Sequence, residues 1–147
     1  MKKIVMLLMV SVFFLMGGEF DGVAQSNENG TPQIISDARG EIVVRAGNTA
    51  QWSYELLNLE NWSYAALFVQ RPGEQPKFII YLDCNGNIHR ANPSDYRFDI
   101  SYNYYKNIIY VTLSNAQASD EGVYYLMVRK GTTDYFSAGD QLTVLYL

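Results

Sequence analysis

The chain has 147 residues and a formal charge of −4; 48% of it is hydrophobic and 14% aromatic. That length favours one domain, and the composition excludes a disordered chain, because it supplies enough apolar surface for a core. The basic residues are scattered, with no patch to meet phosphates, which argues against a nucleic-acid binder.

The first element in chain order is not part of the fold. Met1-Lys2-Lys3 is a basic start, residues 4–16 form an uncharged and almost wholly apolar run, and Gly22, Val23 and Ala24 follow. This is the layout of a secretory signal peptide over residues 1–24, cleaved before Gln25. A membrane anchor is the competing reading, but a span needs about 20 apolar residues, and Glu19 and Asp21 follow closely. No later stretch is long and apolar enough to insert. The product is expected to be secreted and soluble, with one domain over residues 25–147. Cleavage removes Lys2, Lys3, Glu19 and Asp21, two charges of each sign, so the formal charge stays −4.

Residues 25–40 read as a polar, partly flexible lead. Strands are then predicted at 41–45 and 49–55, where Ala50, Trp52 and Tyr54 alternate with Thr49, Gln51 and Ser53. A strand at 65–70 ends in the turn Arg71-Pro72-Gly73-Glu74. The five-residue apolar run 78–82 leads into a turn at 83–87 that contains Asn-Gly, a strong hairpin signal. Further strands are expected at 96–101, at 107–114 with Ile109, Val111 and Leu113 on one face, at 122–128 and at 141–147. About nine short strands with regular turn signals predict an all-β antiparallel sandwich.

Few residues carry chemistry. Cys84 is the single cysteine, so no internal disulfide can form, and it is either a free thiol or a bond to another chain. It shares the 83–90 segment with His89, the single histidine. A nucleophilic pair would need a third group and a sheltered cleft, and zinc would need more ligands. No paired carboxylates, phosphate loop or Ser-His-Asp arrangement appears, so no enzyme, metal or cofactor is expected. Asn29-Gly-Thr and Asn61-Trp-Ser are N-glycosylation acceptors, whereas Asn92-Pro-Ser is blocked by its proline.

Four segments carry a family likeness. The run 70–81, Gln-Arg-Pro-Gly-Glu-Gln-Pro-Lys-Phe-Ile-Ile-Tyr, resembles the third and fourth strands of immunoglobulin variable domains. Asp120-Glu-Gly-Val-Tyr-Tyr125 resembles their Asp-x-Gly-x-Tyr turn, and 136–145, Phe-Ser-Ala-Gly-Asp-Gln-Leu-Thr-Val-Leu, is similar to a joining segment. Residues 47–54 fit the second strand. The matches run in order over residues 33–147 and identify the chain as a member of the immunoglobulin variable (V-set) family. The likeness covers T-cell-receptor and light-chain variable regions alike, and leans slightly to the former.

The resemblance implies an immunoglobulin-like V-type Greek-key sandwich. It implies a tyrosine corner at Tyr124 and an Arg97–Asp120 tie between loops. It places Tyr54 and Leu126 where the family has its two bridging cysteines, and Leu67 where it has a core tryptophan. Trp52 then falls where an aliphatic residue is usual. These exchanges suggest a compensated core. Losing such a bridge costs about 2–5 kcal/mol in a small secreted domain, and an extra buried aromatic and aliphatic side chain return roughly 2–3 kcal/mol each. A poorly folding product is the other reading.

By the same resemblance, Phe68, Gln70, Pro76, Phe78, Tyr125 and Phe136 occupy the variable-domain pairing face. Ser137 and Asp140 replace the joining motif's first glycine and its threonine, which puts its bulge in question. Three hypervariable loops map to 56–65, 83–90 and 129–135. In them Trp62, Tyr64, Asn87, Arg129 and Tyr135 are candidate ligand contacts, unless the aromatic ones tuck into the domain. A glycan on Asn61 would cover much of the first loop. The expected function is immune recognition by binding, with a protein ligand, another V-type chain, or both as partners. The chain ends soon after its last strand. That suggests a partner for another chain, a soluble receptor or decoy, or an incomplete receptor. The alternative is a homophilic adhesion or assembly module that uses the sheet face alone.

Overall fold

Strands form wherever apolar and polar residues alternate between turn residues. The computed structural model describes residues 30–146. It contains β1 (Gln33–Ser36), β2 (Glu41–Arg45), β3 (Ala50–Leu57), β4 (Tyr64–Gln70), β5 (Lys77–Asp83), β6 (Ile88–Arg90), β7 (Phe98–Asn103), β8 (Ile108–Leu113), β9 (Gly122–Lys130), β10 (Thr133–Phe136) and β11 (Asp140–Leu145). One sheet has the order β1-β3-β8-β7. The other runs β2-β11-β9-β4-β5-β6, with β10 also on β9. Every pairing is antiparallel except β2 with β11. The signal-peptide segment and Asn29 lie outside the described residues.

Several boundaries differ from expectation. Residues 33–36, assigned to a flexible lead, form an edge strand, because Ile34 packs into the core and the backbone pairs with β3. β6 and β10 lie inside two of the expected loops, which shortens those loops to tight turns. β7 starts at Phe98, and Tyr96 before it is exposed.

The core lies between the sheets and is built by period-2 alternation. Ala50, Trp52, Tyr54 and Leu56 face in from β3, and Ile109, Val111 and Leu113 from β8. Leu67 and Leu126 are paired across β4 and β9 and fully buried. Trp52 is 2% exposed, lies edge-on to Tyr124 with centroids 5.6 Å apart, and donates its Nε1–H to the Tyr54 hydroxyl at 2.8 Å. A buried indole needs such an acceptor, and the tyrosine two residues on supplies it. Burial drives the Tyr54 phenol far above its ordinary range, so it remains neutral. No disulfide joins the sheets, since Cys84 is the single cysteine.

The turn before β9 is tied down in three ways. The Tyr124 hydroxyl donates to Asp120 O at 2.6 Å. The Arg97 guanidinium grips Asp120 with two bonds, at 2.7 and 2.8 Å, and also donates to Asn115 O. The Asp120 carboxylate in turn accepts the Gln117 N–H at 2.8 Å. Gly122 lets β9 approach β4: a Cβ there would lie 2.8 Å from Gln70 O and 2.9 Å from Val69 Cγ2. Gly122→Ala is therefore expected to push the strands apart and cost about 1–3 kcal/mol. A chemical-denaturation midpoint equal to wild type would contradict this.

Candidate interaction surface

On β4 the inner residues Ala65, Leu67 and Val69 alternate with outer ones, so Tyr64, Phe68 and Gln70 share the outer face. Phe68 pairs with Tyr125 on β9 and with Phe78 on β5. Its ring stacks on Tyr125 (5.7 Å, 10°) and meets Phe78 edge-on at 6.1 Å. Phe136 on β10 extends the row from Tyr125 at 6.1 Å.

The row also continues in the other direction, through residues the sequence reading missed. Tyr81 lies 5.6 Å from both Phe78 and Tyr64, and His89 stacks on it at 4.2 Å. Phe78 and Tyr81 are three apart, so regular alternation would put them on opposite faces. The register shifts between Leu67 and Phe68: Leu67 faces Ile80 and Phe68 faces Phe78, leaving Ile79 as an extra residue. This bulge brings both rings outward. Within the isolated chain Gln70 and Tyr125 are almost covered, 3% exposed each, and burial pushes the Tyr125 phenol up to about 12. Phe68, Pro76, Phe78, Tyr81 and Phe136 are half-buried.

Charges around this face are paired within the chain. Arg129 holds Asp134 with two bonds at 2.6 and 2.8 Å while its guanidinium lies over Tyr64. Lys77 meets Glu74 at 2.7 Å, and His89 Nε2 lies 3.1 Å from Asp83 Oδ2. Asp83 also accepts the N–H groups of Asn85 and Asn87; the Asn87 bond first, then His89, hold its carboxyl down to about 2. At the end of β10, the Ser137 hydroxyl accepts the Leu126 N–H at 2.8 Å, and Ser137 N–H returns a bond to Leu126 O. The serine side chain thus satisfies a strand donor at the site of the joining bulge.

The loop end differs from expectation in one residue. Trp62 is 6% exposed, belongs to the core, and lies edge-on to Tyr102 at 5.1 Å. It is corrected from a surface contact to a core residue, because burying an indole outweighs exposing it in a loop. Tyr64 and Tyr135 are half-buried, and Asn61, Cys84 and Asn87 are exposed. The most exposed aromatics at this end sit in the β7–β8 turn, outside the three expected loops: Tyr104 is 79% and Tyr105 95% exposed. Asn103 Oδ1 braces that turn through the Tyr105 and Lys106 N–H groups, and Asn107 bonds the end of β3 through Leu56.

Among the described residues, no group of three or more His, Cys, Asp or Glu is placed to hold a metal. A cleft of about 410 Å3 is lined by Arg71, Lys77, Arg90, Arg97, Phe78 and Phe98. Three of those cations already face carboxylates, Glu74, Asp99 and Asp120.

The family model for the immunoglobulin V-set domain matches residues 41–145. The chain belongs to the immunoglobulin V-set family. The chain is also 31% identical, over 84 residues, to the mouse (Mus musculus) proteins named immunoglobulin iota chain and immunoglobulin omega chain. The aligned stretch is 56% of this chain and 59% of each relative. This is therefore an immune-type variable domain that lacks the inter-sheet disulfide. No helix among its described residues is long and apolar enough to cross a membrane.

Proposed function

We propose that this V-set domain is secreted and acts by binding in immune recognition, pairing with another V-type chain through the outer face of β4, β5, β9 and β10. The observation that carries this reading is the unbroken row of rings from Phe136 to His89 across four strands and into β6. Half-exposed aromatics gathered on one face mark an interaction site better than scattered ones do. A protein ligand is then met at the loop end, by Tyr64, Asn87, Arg129 and Tyr135 together with Tyr104 and Tyr105. Asn61 is exposed at a left-handed turn position (φ 60°), which suits a glycan acceptor.

Light scattering of the mature domain, alone and mixed with immunoglobulin variable chains, tests the pairing. A mixed complex is expected, and Tyr81→Ala or Phe78→Ala should weaken it about 10- to 30-fold, as for a hot-spot aromatic. Monomers in every mixture at high concentration would refute the proposal. The homophilic reading draws support from the rim charges, which are paired within one chain and so would not repel a second copy. A self-dimer in the unmixed sample is its signature. The same samples run without reductant show whether the exposed Cys84 thiol bonds another chain.

A further inference from the structure

Asp140, at the start of β11, is 1% exposed. Its Oδ1 accepts the Gly40 N–H at 2.7 Å, and the Gln141 N–H donates to Gly40 O at 2.9 Å, so the β1–β2 turn is clamped to β11 at this point. Its Oδ2 is buried and has no hydrogen-bond partner among the described residues. The groups around it are acidic or neutral. Asp37 acts on it electrostatically from the β1–β2 turn, although exposed and bonded to the Ser53 N–H; Tyr54 lies near it on β3, the Ser36 hydroxyl on β1, and Tyr124 is its register partner on β9. Arg39 and Glu41 flank Gly40 but are exposed. A buried carboxylate without a cation costs much more than a neutral carboxyl in the same place.

We propose that Asp140 is a proton-operated latch between the β1–β2 turn and β11: its protonated form holds the turn closed, and its ionised form loosens it. Burial, with a smaller push from Asp37, raises its titration from the ordinary carboxylate value, against the lowering effects of the nearby Ser36 hydroxyl and the Gly40 N–H. The folded state thus binds this proton more tightly than the unfolded one. The stability Asp140 contributes is fully present below the unfolded carboxylate value and is lost as pH rises through the raised folded value. Asp83 and Asp134 have the opposite sign, each held low by hydrogen bonds, and weaken the fold only at more acid pH.

The test compares wild type with Asp140→Asn, which keeps an oxygen for the Gly40 N–H and removes the charge. Melting temperature and amide exchange at Gly40 and Gln141 are followed from about pH 7.5 to about pH 5. The variant is expected to melt about 4–8 °C higher at neutral pH, with the gap closing as wild type is acidified. Wild-type exchange at Gly40, corrected for intrinsic rate, should slow on acidification and stay flat in the variant. Asp37→Asn removes the facing charge with Asp140 in place, and should move the wild-type transition to lower pH. His89→Gln should leave the gap unchanged. Parallel pH profiles for wild type and Asp140→Asn, or an Asp37→Asn profile that does not move, would overturn the proposal.

Discussion

Trp52→Ala is expected to cost about 3–5 kcal/mol, the range for truncating a buried large aromatic. Domains of this kind have only about 5–15 kcal/mol in total, and this one has no bridge between its sheets. The variant should therefore lose a large share of its stability, seen as a much lower denaturation midpoint. The indole fills the space between β3 and β9 against Tyr124, and its N–H is satisfied by Tyr54. Tyr54→Phe isolates the second part: packing is kept while the Trp52 N–H loses its acceptor, at about 1–3 kcal/mol. Thermal and denaturant melts of residues 25–147 under reducing conditions read both. A wild-type domain that melts without cooperativity and binds a hydrophobic dye would refute the compensated core. So would a Trp52→Ala protein as stable as wild type.

Arg97→Ala should be the next most damaging change. Removing one partner of a buried ion pair costs about 3–5 kcal/mol because the other charge is stranded. Arg97 is itself about a quarter exposed, so solvent screening lowers the expectation to about 2–3 kcal/mol. Asp120 is the buried partner, at 2% side-chain exposure, and also holds the Gln117 N–H. Arg97→Lys should recover only part of the loss, since an ammonium cannot reproduce the two-bonded grip. The double variant Arg97→Ala, Asp120→Ala should be less damaged than the sum of the singles. Strict additivity in denaturant melts would mean that the two residues do not act as a pair.

The fold was largely readable because its signals are local. Alternation in β3 and β8 names the residues that face inward, and the Asp-x-Gly-x-Tyr turn carries its own chemistry: a corner tyrosine, a carboxylate for Arg97, and a glycine where β9 nears β4. β1 was missed because four residues after a polar lead hold too little pattern, and its one buried side chain, Ile34, finds its partners across β3. Trp62 was misplaced because an aromatic in a loop reads the same whether it turns inward or outward. Only the position of Tyr102 beside it decides.

The sequence by itself determined a sandwich of short strands, a domain with a single thiol and therefore no internal bridge, and the paired replacement of both bridging positions by Tyr54 and Leu126. The first two follow from residue identity and spacing along the chain, which need no knowledge of neighbours, and the third is what the resemblance to variable domains implies. The tertiary structure alone added Tyr81 and His89 to the aromatic face. The apolar run 78–82 has no alternation to read, and the bulge opposite Leu67 and Phe68 sets Phe78 and Tyr81 on the same side. It alone also placed a carboxylate in the interior at Asp140, since burial there is set by β1, β3 and the β1–β2 turn closing over β11. Register and burial are relations between distant segments, and packing fixes them only when the sheets meet.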